Sequence, residues 1–330
     1  MILAGGCGER FWPMSQPKFP KQFLSIFKNR SLIVQTMDRI KSYFKEDERI
    51  LIIPEELKSI TYQYVGRERI IVEPMRRNTA PAICLAAMAL RYDYQDSVLH
   101  VMPADHLISP DRNFIKALKF GQGLAEKGYL VTYGIRPDRP ETGYGYVKIG
   151  EKIKSRYRQN AFRGEGFAEK PCLKKAKEYT KGKKYLWNSG IFSFSVANIL
   201  SEIENYIPEV YYGVMNFLKK RKKRFFQQIP DISIDYGVME KSHKLCIVEG
   251  NFVWDDVGSW LALERYFKKD KNGNILIGNA KGLEILDSIM YTSGVPLKGY
   301  GLKNLIVVVS PQGVLVCKKD RAQDLKKLLK

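Results

Sequence analysis

Residues 3–24 read LAGGCGERFWPMSQPKFPKQFL, so Gly5, Gly6, Gly8, Arg10 and Lys21 follow directly on a short apolar run. Glycines in such a place let the backbone come close to a ligand and turn N–H groups toward an anion. Arg10 can grip phosphate through two parallel hydrogen bonds, and Lys21 can act as a point charge. Together they suit a nucleoside triphosphate. Two common phosphate motifs are not met: the third glycine of the dinucleotide fingerprint is missing, and the loop contains no GxxxxGK[ST]. Two carboxylates stand in similar positions further on. Asp105 follows the apolar run 98–102, and Asp256 follows 252–254. Magnesium takes one or two carboxylates plus phosphate oxygens, so both are candidate ligands. Each fits a local role as well: Asp105 a turn after a strand, Asp256 the cap of a helix starting near Gly258. The histidines, His100, His106 and His243, lie in no triad-like setting. The chemistry indicated is that of charge and metal, without a nucleophile–base pair.

These residues need a scaffold. Strand-like runs at 1–4, 49–53, 69–72, 97–102 and 129–134 alternate with helical patterns at 31–44, 55–65, 79–92 and 111–127. That alternation predicts an α/β fold with a parallel sheet covered by helices. The strands are continuous apolar runs, as doubly covered strands are. Ligands of such folds bind at the carboxyl edge of the sheet, which is where Ala4, Gly5 and Pro103 fall. Beyond residue 140 the pattern loosens into a hairpin arm at 143–149, a buried strand at 187–194 and helices at 196–206, 209–222 and 234–242. Short β-rich pieces follow at 274–277, 282–286, 289–292, 305–310 and 313–317, then a charged helix at 320–329. The expected domains are 1–267 and a small β-rich domain, 268–330.

The 330 residues, 45% of them hydrophobic, suffice for one large domain and a smaller one. No stretch reaches the ~18 apolar residues of a membrane helix, and the first residues lack a charged leader region, so a cytoplasmic protein is expected. Lys and Arg number 55 against 35 Asp and Glu, a formal charge of +20, which suits an anionic partner. The basic run Lys219-Lys220-Arg221-Lys222-Lys223-Arg224 reads as a solvated surface, so neither a specific nucleic acid nor a membrane is expected as partner. Cys7, Cys84, Cys172, Cys246 and Cys317 form no CxxC pair and read as small buried thiols.

The motif GGCGERFWP…PKQFL recurs with others in order: EPMRRNTAPA (73–82), PADH (103–106), ETGYGYV (141–147), FAEKP (167–171), WNSGIF (187–192), SIDYGVMEK (233–241) and WDDVGSW (254–260). In this the chain resembles the sugar-nucleotide pyrophosphorylases, and among them the mannose-1-phosphate guanylyltransferases. The resemblance implies a Rossmann-like, GT-A-like, mostly parallel sheet. It also implies a left-handed β-helix-like tail of the kind that often mediates dimerisation, hence a homodimer; no hexapeptide periodicity marks that tail. A fused isomerase domain is expected to be missing after Lys330. The implied reaction is transfer of GMP from GTP to mannose 1-phosphate with release of pyrophosphate, assisted by Mg2+. Arg10 and Lys21, with Gly6 and Gly8, then serve the triphosphate; Asp105 and Asp256 hold the metal. Lys170 reaches the sugar phosphate, while Gly145, Glu169 and Asn188 meet sugar hydroxyls. For guanine, the amide of Asn78 with backbone near Ala4, Gly5 and Pro103 matches the donor and acceptor pattern, although Asn78-Thr79 also suits a helix start. Arg76 and Arg77 face triphosphate or solvent. SIDYGVMEK reads as a structural helix, with Asp235 and Lys241 matched to its dipole. The family has a small residue where Asp255 stands, which leaves open which aspartate faces the ion. Another sugar 1-phosphate, such as a heptose, stays open. So does a metal-dependent glycosyltransferase, against which the Arg/Lys loop speaks.

Overall fold

The computed structural model describes residues 1–6, 8–94, 96–154 and 159–329. It divides into two compact units: Met1–Gly5 with Met37–Trp254, and Gly6–Thr36 with Asp255–Lys330. The glycine-rich loop is thus grouped with the C-terminal residues. Cys7 lies outside the described residues. No helix among the described residues is long and apolar enough to cross a membrane.

The first unit contains β1 (Ile2–Leu3), β2 (Ile50–Pro54), β3 (Arg69–Glu73), β4 (Val98–Pro103), β5 (Leu107–Ser109), β6 (Leu130–Ile135), β7 (Tyr146–Lys152), β8 (Ala161–Ala168), β9 (Tyr185–Ser195) and β10 (Leu245–Glu249). All but β5 join one sheet in the order β3-β2-β1-β4-β9-β6-β10-β8-β7. The first four strands are parallel. Strand β9 runs against both β4 and β6, and β10 is parallel to β6. Strands β7 and β8 form the antiparallel hairpin expected after residue 140. Strand β2 is buried at every residue, which its unbroken apolar sequence requires. Helix Thr79–Leu90 is buried on nearly all sides because its small and apolar residues meet helices Val196–Tyr206 and Pro208–Lys220 as well as the sheet. The carboxyl ends of the parallel strands bring Leu3, Pro54, Glu73 and Pro103 to one edge.

The second unit holds six further strands. They are β12 (Ile275–Ile277), β13 (Ala280–Leu283), β14 (Ile289–Thr292), β15 (Leu297–Tyr300), β16 (Leu305–Ser310) and β17 (Gly313–Lys318), counted after β11 (Val253–Asp255). Strands β12, β14 and β16 form one parallel ladder, and β13 and β15 another. Ile275, Ile289 and Ile306 stand in register, so successive coils stack like on like. This is the β-helix-like coil, closed by the antiparallel β17. In the same unit the loop 6–36 is held by Phe11, fully buried, whose ring lies 6.3 Å from Phe27 and 5.2 Å from Trp260.

Several local expectations shift. The helix expected over 31–44 is Leu32–Ile40. The segment 320–329 is 3-10 (Lys319–Lys327). The helix expected over 234–242 is a π-helical turn, Asp235–Met239, a form concentrated at functional sites. Cys84 and Cys246 are buried, but Cys172 is exposed and Cys317 half-buried. The basic run 219–224 is exposed throughout, as a solvated surface is.

Candidate active site

In the second unit, Gly8 has φ 62°, and a Cβ there would fall 2.3 Å from Lys21 Cβ. Only glycine fits that approach. Lys21 is 7% exposed and donates from Nζ to the Asp256 carbonyl at 2.5 Å and to the Val257 carbonyl at 3.3 Å. Val257 is held at φ 48°, costly for a β-branched residue, so the turn behind Asp256 is strained. Its N–H donates to Asp255 Oδ1 at 2.7 Å. Asp255, 3% exposed, is also clamped by Arg265, whose Nη2 donates to Oδ1 at 2.8 Å. Asp255 is therefore spent on structure, while Asp256 stays partly exposed. A Cβ on Gly258 would lie 3.1 Å from Asp256 Oδ2 and 3.5 Å from Arg10 Nη1, so that glycine leaves room between carboxylate and guanidinium. Arg10 is steadied by a 2.6 Å hydrogen bond from Nη1 to Gln323 Oε1. Arg10, Lys21 and Asp256, far apart in sequence, are thus brought together; Gly6 is exposed at the start of their loop.

In the first unit, Ala4, Gly5 and Pro103 lie at the carboxyl edge of the parallel strands: Ala4 N–H donates to Ile52 O at 3.0 Å, and Ala104 N–H to Leu3 O at 2.9 Å. Asp105 follows β4 with its side chain 26% exposed, its Oδ1 4.0 Å from His106 Nε2. Trp254 Nε1 donates to His106 Nδ1 at 3.0 Å, which leaves the neutral ring's proton on Nε2, facing Asp105. Among the described residues no cluster of three or more His, Cys, Asp or Glu could cage a metal. Asp105 is partly exposed, and its oxygen donors suit a hard divalent ion that keeps waters and phosphate oxygens.

A second group in that unit gathers Gly145, Glu169, Lys170 and Asn188. A Cβ on Gly145 would sit 2.5 Å from Glu169 Oε2, so glycine makes room for that carboxylate. Glu169 pairs with Lys170 Nζ at 2.7 Å; its side chain is 13% exposed, that of Lys170 62%. Lys170 itself holds a left-handed φ of 44°. Asn188 N–H donates to Gly145 O at 2.8 Å. The Asn188 amide is largely engaged: Oδ1 accepts from Thr132 Oγ1 at 2.7 Å and from Gly190 N at 3.3 Å, and Nδ2 donates to Asp235 Oδ1 at 2.7 Å. Asn188 therefore has one N–H left to offer, fewer groups than its type suggests.

Asp235, read in sequence only as a charge matched to a helix dipole, stands beside this group. It opens the π-helical turn and joins Glu169 and Asn188. Burial, then the nearby Glu169 charge, raises its carboxyl from 3.8 to about 6. Asn78 takes the capping role: at φ 66° its Oδ1 accepts from Thr79 N at 3.0 Å, and Thr79 Oγ1 accepts from Ile234 N at 2.8 Å. Arg76 pairs with Glu56 at 3.3 Å, and Arg77 donates to the Gln227 carbonyl at 2.5 Å. Glu73, at the end of β3, is 5% exposed and was missed, because a Glu closing a strand gives no signal of burial.

The nucleotidyl transferase family model matches residues 1–273, and a model for the MannoseP isomerase/GMP-like beta-helix domain matches 278–330. A mannose-1-phosphate guanylyltransferase of Salmonella muenchen is 35% identical over 100% of this chain and 72% of its own length. The alginate biosynthesis protein AlgA of Pseudomonas aeruginosa is 34% identical over 100% of this chain and 71% of its own. A crystal structure from Thermus thermophilus, described as a mannose-1-phosphate geranyltransferase, superposes with a TM-score of 0.89 at 34% identity, covering 99% of this chain and 97% of that one. On these similarities the chain belongs to the nucleotidyl transferase family and, within it, to the mannose-1-phosphate guanylyltransferases.

Proposed function

We propose that the protein transfers GMP from GTP to mannose 1-phosphate, forming GDP-mannose and pyrophosphate. The observation that carries this reading is the grouping of Arg10, Lys21 and Asp256 near Gly8, which admits no side chain, an arrangement suited to a metal-bound polyphosphate. The nucleophile is a phosphate monoester oxygen with a second pKa of about 6, already ionised near neutrality, so no general base is needed. The work left to the protein is to bring two anions into line and to stabilise charge on the α-phosphate.

In this reading Arg10 and Lys21 neutralise the triphosphate, and the backbone of Ala4, Gly5, Gly6, Gly8 and Pro103 approaches the nucleotide, with Asn78 and Thr79 ordering the helix start beside it. Lys170 meets the sugar phosphate; Glu169 and Asp235 accept from sugar hydroxyls, and Asn188 offers its remaining N–H. Asp105 and Asp256 would hold a divalent ion, Mg2+ by their hard oxygen donors, and that ion when bound supplies Lewis-acid stabilisation of phosphate charge. Residues 1–267 act as the catalytic domain and 268–330 as a small dimerising domain of a cytoplasmic homodimer. The test is pyrophosphate release from each nucleoside triphosphate against a panel of sugar 1-phosphates. The reading expects GTP with mannose 1-phosphate to lead; preference for UTP or ATP overturns the guanine assignment.

A further inference from the structure

His106 is held in one tautomer by its surroundings. It follows Asp105 in the turn between β4 and β5 and is 9% exposed. Trp254, also buried, donates from Nε1 to His106 Nδ1 at 3.0 Å, and the two rings meet edge to face with centroids 5.3 Å apart at 88°. An indole N–H can only donate, so Nδ1 must accept and the neutral ring carries its proton on Nε2. That nitrogen lies 4.0 Å from Asp105 Oδ1. The backbone of the turn is tied down separately: the buried Arg39 donates from Nη2 to the His106 carbonyl at 3.4 Å and pairs through Nε with Asp111 at 3.3 Å. Two buried donors, a guanidinium and an indole, thus converge on a residue whose Nε2 is turned to a carboxylate.

A carboxylate that holds a metal through one oxygen can still swing about its Cβ–Cγ bond, and a donor to the other oxygen stops that motion. The 4.0 Å separation is too long for a hydrogen bond, and a rotation of the Asp105 carboxyl group that brings Oδ1 closer by about 1 Å completes one. We propose that His106 is a positioning residue for Asp105: its Nε2–H takes one carboxylate oxygen and leaves the other aimed at the divalent ion. Trp254 fixes the tautomer that makes this possible. The opposite tautomer presents a ring lone pair to the carboxylate and repels it, so the indole N–H acts on Asp105 without touching it. The inference rests on the reading of Asp105 as a metal ligand and adds the pair of residues that orients it.

The experiment titrates the whole protein with Mn2+, without nucleotide, and follows the ion by electron paramagnetic resonance, each variant being checked for folding by circular dichroism. Asp105→Asn should weaken Mn2+ binding most. His106→Phe keeps an aromatic ring beside Trp254 and removes the donor, and should weaken binding by about tenfold to a hundredfold. His106→Gln sets an amide N–H near the place of Nε2 and should recover most of that loss. Long-range 1H–15N spectra, with the His106 signals assigned by their loss in His106→Phe, should show the wild-type ring protonated on Nε2 alone and the ring of Trp254→Phe as a mixture of both tautomers. Equal losses of affinity in His106→Phe and His106→Gln overturn the proposal, and so does a wild-type ring protonated on Nδ1. Binding that falls in Asp105→Asn and holds in a folded His106→Phe refutes this inference alone. Mn2+ binding that is absent from the wild type, or that survives Asp105→Asn unchanged, refutes the metal reading as well.

Discussion

Replacing Asp235 by Asn should make the protein more stable, and increasingly so as pH rises. The Asp235 carboxyl titrates at about 6 in the folded chain against 3.8 for the free group, through burial first and the Glu169 charge second. A carboxyl whose pKa is raised by folding contributes stability that is fully present below its unfolded value and is lost as pH climbs through its folded one. Each tenfold change in proton affinity is worth about 1.4 kcal/mol, which sets a ceiling of about 3 kcal/mol on that loss. Asp235 keeps some contact with solvent, and screening reduces the figure to about 2 kcal/mol. Asparagine cannot ionise, yet its Oδ1 can still accept the 2.7 Å hydrogen bond from Asn188. Urea unfolding of both proteins near pH 4.5 and near pH 8 should show the variant's advantage growing by about 1 kcal/mol across that interval, since part of the loss has already occurred at the lower pH. The same variant should bind the sugar phosphate more weakly, having lost a charged acceptor. A stability difference that stays constant with pH would refute the reasoning.

Three further outcomes are expected from steady-state kinetics. Asp105→Asn and Asp256→Ala should each lower kcat by more than about a hundredfold with the fold intact, as loss of charge stabilisation at a transferring phosphoryl group does; near-normal turnover removes that residue from the metal. Gly145→Ala forces a methyl to 2.5 Å from Glu169 Oε2, and the displaced carboxylate should cost about a hundredfold in kcat/KM for the sugar phosphate, with the KM for GTP unchanged. Lys170→Ala should weaken sugar phosphate use by about tenfold and leave GTP binding nearly intact; the reverse pattern moves Lys170 to the nucleotide.

Much of the scaffold can be read from the chain because burial on both faces demands it. Strands β2 and β4 are apolar almost without interruption, and the ends of β1 and β4 place Ala4, Gly5 and Pro103 where a parallel sheet binds ligands. Gly8 and Lys21 stand out by type as phosphate-facing groups, but their close approach to each other is seen only in the folded chain. Other features depend on long-range packing that periodicity does not encode. Phe11 meets Trp260, residues distant in sequence, and so groups the glycine loop with the C-terminal residues. Nothing in WDDVGSW separates Asp255 from Asp256 until Arg265 is seen to clamp one of them. The π-helical turn at Asp235 depends on which carbonyl each N–H chooses, and the helical pattern of its apolar residues is the same either way. Glu73 and Asp235 look in sequence like ordinary surface charges; only burial reveals that each carries a raised pKa.

The central claim is that cationic side chains and a divalent ion hold a sugar phosphate against the α-phosphate of GTP. Its most direct test is exchange of labelled pyrophosphate into GTP by the purified protein, given GDP-mannose and magnesium. The account predicts metal-dependent exchange that chelation abolishes and that Lys21→Ala nearly eliminates. Absence of label in any nucleoside triphosphate, with magnesium and the matching nucleotide-sugar present, would contradict it.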